Sequence, residues 1–309
     1  MRIVFMGTPE SAVTSLQRCI ADGHEVVAVW TQPDKSSGRG NKVTPSAVKA
    51  LALAHGLPVY QPAQIKTDEA KALFASHGAD AAIVVAYGRI LPPEFLHAPR
   101  LGCINVHFSF LPKYRGAAPV NWAIINGEEK TGVSTMFIEP ELDSGPILLQ
   151  REISIGETET AAELMGRLAT LGADLLSTTL AQLSDITPRP QNHEEATFAP
   201  LLAKEHGLID WSAEAFALER RVRGLQPWPN AYSFYKGRRL TIWQASAEKT
   251  ETDANTPGTI TQADKNGLVV ACGGGSSLRL LNVQPEGSRR MTATEFTNGA
   301  HLQTGERLG

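Results

Sequence analysis

Residues 81–86 read Ala-Ala-Ile-Val-Val-Ala, six positions without a polar side chain. A strand buried on one face alternates apolar with polar residues, whereas a strand buried on both faces reads as a continuous apolar run. The stretch therefore predicts the central strand of a parallel sheet covered by helices on both sides. Upstream, Arg2–Gly7 and residues 26–31 are further β-runs, with helical patterns over 10–21 and 44–55. Residues 58–61 are short and extended, and 67–76 read as a helix capped by Thr67. Downstream, 103–108 and 132–138 are strand candidates, and 158–183 carries a long helical pattern that includes Leu164, Leu168, Leu171 and Leu175. Strands alternating with helices predict an α/β fold, a Rossmann-like doubly wound domain over residues 1–186.

The pattern changes at 187–205, where Pro188, Pro190, Asn192 and His193 lie in a stretch without a period. This segment is expected to be a linker. Residues 206–309 open with a helical stretch at 213–223. Short β-runs follow at 239–245, 258–261, Gly267–Ala271 and 277–283, separated by turn residues. That pattern predicts a small β-barrel or sandwich as a second domain.

The balance of 42% hydrophobic and 20% charged residues is that of a globular protein. No apolar run reaches membrane-span length, and the start of the chain lacks the apolar core of a secretory signal. A cytoplasmic protein that needs no oligomer, and is most simply a monomer, is expected. Cys19, Cys103 and Cys272 are odd in number and far apart, so they form neither a disulfide framework nor zinc spacing. Residues 1–205 hold 17 Lys/Arg against 22 Asp/Glu, a net of −5; residues 206–309 hold 12 against 10, a net of +2. A polyanionic partner should meet the second segment or local basic loops.

The first strand ends in Gly7-Thr8-Pro9-Glu10, which lacks the later glycines of a dinucleotide-binding turn. A tight strand-to-helix turn is expected there, without a nicotinamide cofactor. The densest chemistry lies at Asn105-Val106-His107-Phe108-Ser109-Phe110-Leu111-Pro112-Lys113-Tyr114-Arg115-Gly116-Ala117-Ala118-Pro119. Period two puts Asn105 and His107 on one face at a strand's carboxyl end, where open parallel sheets bind ligands. Asp143, in Leu142-Asp143-Ser144-Gly145, adds a carboxylate. Each has a plainer reading: a hydrogen-bonded histidine at a strand end, an aspartate forming a turn.

The ordered set N-x-H, S-x-L-P, R-G-A-A-P and L-D-S-G resembles the formyltetrahydrofolate-dependent transformylases. VFMGTPE, TQPDKSSGRGNKVTPSAVK, VVAYGRILP and QPWPNAY extend the resemblance over nearly the whole chain, most closely to members that act on aminoacyl-tRNA. It implies a formyltransferase catalytic domain joined to an OB-like β-barrel. It also implies 10-formyltetrahydrofolate as cosubstrate, methionyl initiator tRNA as acceptor, and no metal. Asn105, His107 and Asp143 match the catalytic trio. Ser109, Phe110, Leu111, Pro112, Tyr87 and Gly88 match the folate-contacting segments. Phe108 and Phe110 depart from the family pattern, which has Gly and Leu there. At a position requiring positive φ, Phe108 would cost about 1 kcal/mol or more. Either the backbone shifts or the added aromatic surface lines the folate site.

The resemblance assigns the loop 34–42 to tRNA, with Arg39 as its working tip and Lys35 and Lys42 beside it. Residues 210–239 interleave six Lys/Arg with Trp211, Phe216, Trp228, Tyr232, Phe234 and Tyr235. Aromatics on a small barrel generally fill its core. Arg220, Arg221 and Arg223 cannot all be buried on one helix face, which makes them tRNA-binding candidates. The alternatives are a transformylase acting on a small amine such as a purine precursor or amino sugar, a non-catalytic RNA-binding protein, and a nicotinamide oxidoreductase.

Overall fold

The computed structural model describes residues 1–37, 42–249 and 256–309, which fall into two compact units. In the first unit, seven of the described strands form one sheet. In chain order they are β1 (Arg2–Gly7), β2 (Glu25–Trp30), β3 (Val59–Tyr60), β4 (Ala81–Val85), β5 (Cys103–His107), β6 (Lys130–Phe137) and β7 (Ile147–Ser154). In space they run β7-β6-β5-β4-β1-β2-β3. The first five are parallel, β6 runs antiparallel to β5, and β7 runs antiparallel to β6. The chain starts at the centre, moves outward to β3, then returns to the other side of β1 to lay down β4. Beyond the carboxyl ends at this reversal lies the usual ligand crevice of an open α/β sheet.

All five residues of β4 are buried, as the apolar run requires. Helices α1 (Val13–Ala21), α2 (Ala47–Ala54), α3 (Asp68–Ser76) and α4 (Pro93–His97) connect the parallel strands. Thr67 caps α3, its hydroxyl accepting from the Ala70 N–H. On one face Trp30 is boxed by Tyr60, Phe74 and Phe95, and joins Met6, Val84, Tyr87 and Cys103 in one cluster. Burying a large apolar side chain of this kind stabilises a fold by roughly 1.5–3 kcal/mol. On the other face, α5 (Ala161–Ala181) brings Gly172 against the sheet. A Cβ there would lie 2.9 Å from Val106 and 3.4 Å from the Phe108 ring, so only glycine allows this approach.

Two expectations are corrected. Ile147–Ser154 is a strand that the sequence reading did not include: its outer half is exposed, its charges sit at an edge, and the apolar alternation is lost. Residues 187–205 are not a free linker. Arg189 and Ile147 exchange backbone hydrogen bonds of 2.8 Å, and Phe198–Ala199 pairs with Arg115–Gly116. The first unit reaches Pro200, and the second begins again at Leu201 while also taking in Val120–Glu129 and Ile155–Leu164. The stretch shows no period because its partners are loops and a strand edge, met a few residues at a time.

The second unit contains α6 (Ala215–Gly224), β8 (Ala231–Tyr235), β9 (Arg238–Lys249), β10 (Ile260–Asp264), β11 (Gly267–Ala271), β12 (Ser276–Pro285), β13 (Met291–Thr292) and α7 (Ala293–Ala300). Its sheet runs β8-β9-β12-β11-β10, antiparallel throughout, with β13 on β12. Register shifts between Ile242 and Ala245 bend the long β9, as bulges do. The C-terminal tail joins the two edges. Glu306 accepts from the Ile260 N–H at 2.8 Å, and Gly309 donates to the Phe234 carbonyl at 2.9 Å. The sheet therefore curls into the small barrel-like form expected of this region.

Candidate active site

Asn105 and His107 project from the carboxyl half of β5 on the face shared with Cys103, as period two requires. His107 is 6% exposed. Its Nε2 lies 2.9 Å from the Tyr114 carbonyl; a carbonyl only accepts, so Nε2 carries a proton. Nδ1 lies 3.7 Å from Asp143 Oδ2. Phe137 at the end of β6 pairs with Ile104, so residues 138–146 fold back over the sheet to bring Asp143 to His107. Gly145 allows that return, because any Cβ on it would collide with the Phe137 carbonyl. Asp143 Oδ2 accepts the Gly116 N–H at 2.8 Å. Among the described residues none hydrogen-bonds the half-buried Asn105 side chain, which leaves its amide available to a ligand.

The sequence reading missed two side chains here. Arg115 and Gln191 are both buried, and the Arg115 Nε and Nη2 donate to Gln191 Oε1 at 3.1 and 2.8 Å. Gln191 Nε2 in turn donates to the carbonyls of Asp143 and Gly145, at 2.9 and 2.8 Å. Arg115 stood in the quoted motif without a role. Gln191 lay in the supposed linker, where no local signal marked it.

The residues matched to folate contact occupy different settings. The Ser109 hydroxyl is spent within the loop, donating to the Lys113 carbonyl at 2.6 Å. Leu111 is buried with Met136 and Ile147, and its N–H donates to Ser134 Oγ at 3.1 Å. Pro112 is half-buried, and Phe110 is 39% exposed. Tyr87 lies in the core, its carbonyl accepting from Gln32 Nε2 at 2.9 Å, and burial pushes its hydroxyl pKa up to about 12. Gly88 follows at a φ of 77°. Phe108 is absent from the residues with positive φ, and its ring packs against α5 at Gly172. It thus sits on the face opposite His107 and neither strains the backbone nor lines the Asn105 face.

Among the tRNA candidates, Lys35–Ser37 pairs antiparallel with Lys42–Thr44, with the backbone of Lys35 opposite Thr44 and that of Lys42 opposite Ser37. Arg39 lies outside the described residues. The approach to this strand pair is held by Asp34, whose carboxylate receives Lys49 Nζ at 2.5 Å and Gln61 Nε2 at 2.7 Å. The hydrogen bond from Lys49, with that from Gln61, holds the Asp34 pKa below the usual carboxylate range. In the second unit, Arg223 pairs with Glu219 at 2.6 Å and donates to the Glu159 carbonyl, Arg221 donates to the His206 carbonyl, and Arg220 lies over Gly127. All three are half-buried, so none extends fully into solvent. Of the six aromatics of residues 210–239, only Trp211 is buried; Phe216 and Trp228 are exposed. The Arg239 guanidinium lies 3.8 Å from the Tyr232 ring centre and Lys236 Nζ 4.8 Å from that of Tyr235. A cleft of about 410 Å³ there is lined in part by Lys236, Arg238, Arg239, Tyr235 and Phe296.

The three cysteines are buried and free, and desolvation raises each thiol to about 12, so they remain protonated and unreactive near neutrality. Among the described residues, no group of three His, Cys, Asp or Glu is arranged to hold a metal, and no helix is long and apolar enough to cross a membrane.

Residues 1–180 match the family described as formyl transferase, and residues 201–301 match the formyl transferase C-terminal domain. The chain is 48% identical to a methionyl-tRNA formyltransferase of Acetivibrio thermocellus, over 100% of both chains. It is 49% identical to proteins of the same name from Caldanaerobacter subterraneus, over 99% of each chain, and Methylococcus capsulatus, over 100% of each. Among solved structures, it resembles WlaRD, a sugar 3N-formyl transferase crystallised with dTDP and 5-N-formyl-THF. The TM-score is 0.67 at 16% identity, over 94% of this chain and 99% of that one. HypX from Aquifex aeolicus, in complex with tetrahydrofolic acid, gives 0.59 at 17% identity, over 96% of this chain and 46% of that one. At such identities the two structures establish the shared fold alone.

Proposed function

The chain belongs to the formyl transferase family, and from that premise we propose that it transfers a formyl group from 10-formyltetrahydrofolate to the α-amino group of methionyl initiator tRNA. The observation that carries this reading is coverage. Relatives named for methionyl-tRNA align with the whole chain at nearly half identity, the second unit included. The sugar-modifying neighbour shares the fold at 16% identity.

The donor supplies a formyl carbon already activated for acyl transfer. An α-amine has a reference pKa of about 7.7–8.0, so a useful neutral fraction exists near pH 7 without a covalent nucleophile on the enzyme. Its nitrogen adds to the formyl carbon, the bond from that carbon to the folate nitrogen breaks, and one proton passes from the amine to the departing nitrogen. Asn105, whose amide has no partner among the described residues, donates to the oxyanion formed on addition. His107 is held by the Tyr114 carbonyl and faces Asp143 through Nδ1, so both ring nitrogens are engaged before substrate binds; turning the Nε2–H from that carbonyl to the oxyanion adds a second donor during the reaction. Asp143 orients the ring and accepts the amine proton through water; the 3.7 Å gap is wider than a direct hydrogen bond and tightens in the reacting complex. The exposed Phe110 and the loop 86–90 offer the pterin an apolar wall and backbone groups, with Ser109, Leu111 and Pro112 fixing that wall from beneath.

The basic residues of the second unit and of the segment 34–42 hold the tRNA, through phosphate contacts and stacking on exposed aromatics. We take a monomer as the working form, with Asn105, His107 and Asp143 all in the first unit, and place its meeting with charged tRNA and reduced folate in the cytoplasm. To test the reading, purified protein is given labelled 10-formyltetrahydrofolate with methionyl initiator tRNA, free methionine or an amino-sugar nucleotide in parallel. Label should pass to the tRNA alone. Label on the sugar nucleotide instead would move the assignment to a small-amine transformylase.

A further inference from the structure

We infer that Gln191 is a positioning residue for Asp143, a role that rests on the proposed function of Asp143 in formyl transfer. Asp143 has a φ of 47°, in the left-handed region that non-glycine residues seldom adopt. Such a conformation persists only where the surroundings over-determine it. One buried amide supplies much of that determination. A guanidinium only donates, so Arg115 fixes Gln191 Oε1 toward itself and turns Nε2 toward the carbonyls of Asp143 and Gly145. The carbonyl-facing end cannot be the oxygen, because two acceptors would then meet.

Three consecutive residues tie this brace to the reacting groups. The Tyr114 carbonyl receives His107 Nε2, the Arg115 side chain holds Gln191, and the Gly116 N–H holds Asp143 Oδ2. Asp143 is therefore gripped at its carboxylate and at its own carbonyl, and both grips lead back to Arg115–Gly116. That short strand is itself pinned by Phe198–Ala199. His193 Nδ1, 3.3 Å from Arg115 Nη1, adds a third support to the guanidinium. If the Gln191 donor is lost, the carboxylate keeps one grip while the backbone beneath it loosens. The expected consequence is a slower chemical step with donor binding intact.

The test uses two variants of the full-length enzyme. Gln191→Met nearly conserves volume and removes both hydrogen-bonding ends. Gln191→Glu keeps an acceptor for Arg115 but turns an oxygen toward the two carbonyls. Formylation of methionyl initiator tRNA is measured for each, alone and combined with Asp143→Asn, with thermal unfolding in parallel. The expected result is a fall in kcat of about 30-fold or more, with the folate KM within about 2-fold. In the Asp143→Asn background the further loss should be under about 2-fold, because coupled residues are non-additive. A purely structural role would instead lower kcat by the same factor in both backgrounds. That outcome, or near wild-type kcat in a folded variant, would overturn the inference. If Gln191→Met does not fold, the Glu variant carries the comparison. Wild-type enzyme that formylates no tRNA would overturn the functional reading and this role together, whereas active wild type with unaffected variants would remove the role alone.

Discussion

Around His107 and Asp143, polar atoms are bonded to backbone or to buried side chains of the same unit, whereas at the β8–β9 turn the cations lie over aromatic rings near solvent. The first arrangement spends hydrogen bonds on geometry and leaves one donor, Asn105, for a ligand. The second keeps charge accessible and spread over several residues. Their difference separates two costs: a change near Asp143 should alter rate at nearly constant affinity, and a change near Arg239 should alter affinity and its salt dependence at nearly constant rate.

The largest effect should come from Asp143→Asn, with turnover reduced roughly 10²–10⁴-fold, the range of general acid–base contributions, and folate binding by titration largely unchanged. Near-normal turnover would erase the distinction on the catalytic side. Asn105→Ala should lose about 2–4 kcal/mol of transition-state stabilisation, read as kcat, as for one oxyanion donor. An unchanged kcat would take Asn105 out of the reaction. On the basic surface, Arg239→Ala should raise the KM for tRNA several-fold while kcat holds, and should reduce the slope of log affinity against log salt by about 1 if the guanidinium neutralises one phosphate. A fall in kcat with an unchanged slope would break the comparison from the other side.

Smaller effects concern the scaffold. Gly172→Ala should destabilise the first unit by about 1–3 kcal/mol through overpacking against Val106 and Phe108, seen in urea unfolding. Asp34→Asn should lower stability at neutral pH by removing the Lys49 partner. The folded-state pKa of Asp34 is depressed, so its contribution is present above the ordinary carboxylate range and lost as pH falls through the folded value. The melting temperatures of wild type and variant should therefore converge in acid. A gap that stays constant with pH would show that the carboxylate charge is not what stabilises the approach to this strand pair.

The parallel core was legible because burial on both faces leaves a direct trace, the apolar run of β4. The spacing of Asn105 and His107 was legible for the same kind of reason, since period two is a property of the strand itself. Carried one residue further, the rule also places Phe108 on the opposite face, where it packs against Gly172. Roles came from resemblance, because neither spacing nor composition separates a catalytic aspartate from a turn former. Gln191 was not legible: its partners lie 76 and 48 residues away in loops, and its neighbours show no period. β7 was hidden by its exposed outer half. The arginines of α6 were expected not to be buried together on one face, and all three are half-buried; the contacts of Arg221 and Arg223 with neighbouring carbonyls and Glu219 are set by tertiary placement, which the helical pattern does not carry.

The most direct test of the account is single-turnover formylation of methionyl initiator tRNA and methionyl elongator tRNA by wild type and Asp143→Asn, with 10-formyltetrahydrofolate saturating. The account predicts rapid formylmethionine on the initiator species, little on the elongator, and loss of the fast phase in the variant despite retained folate binding. No product on either tRNA from a folate-saturated wild-type enzyme would contradict it.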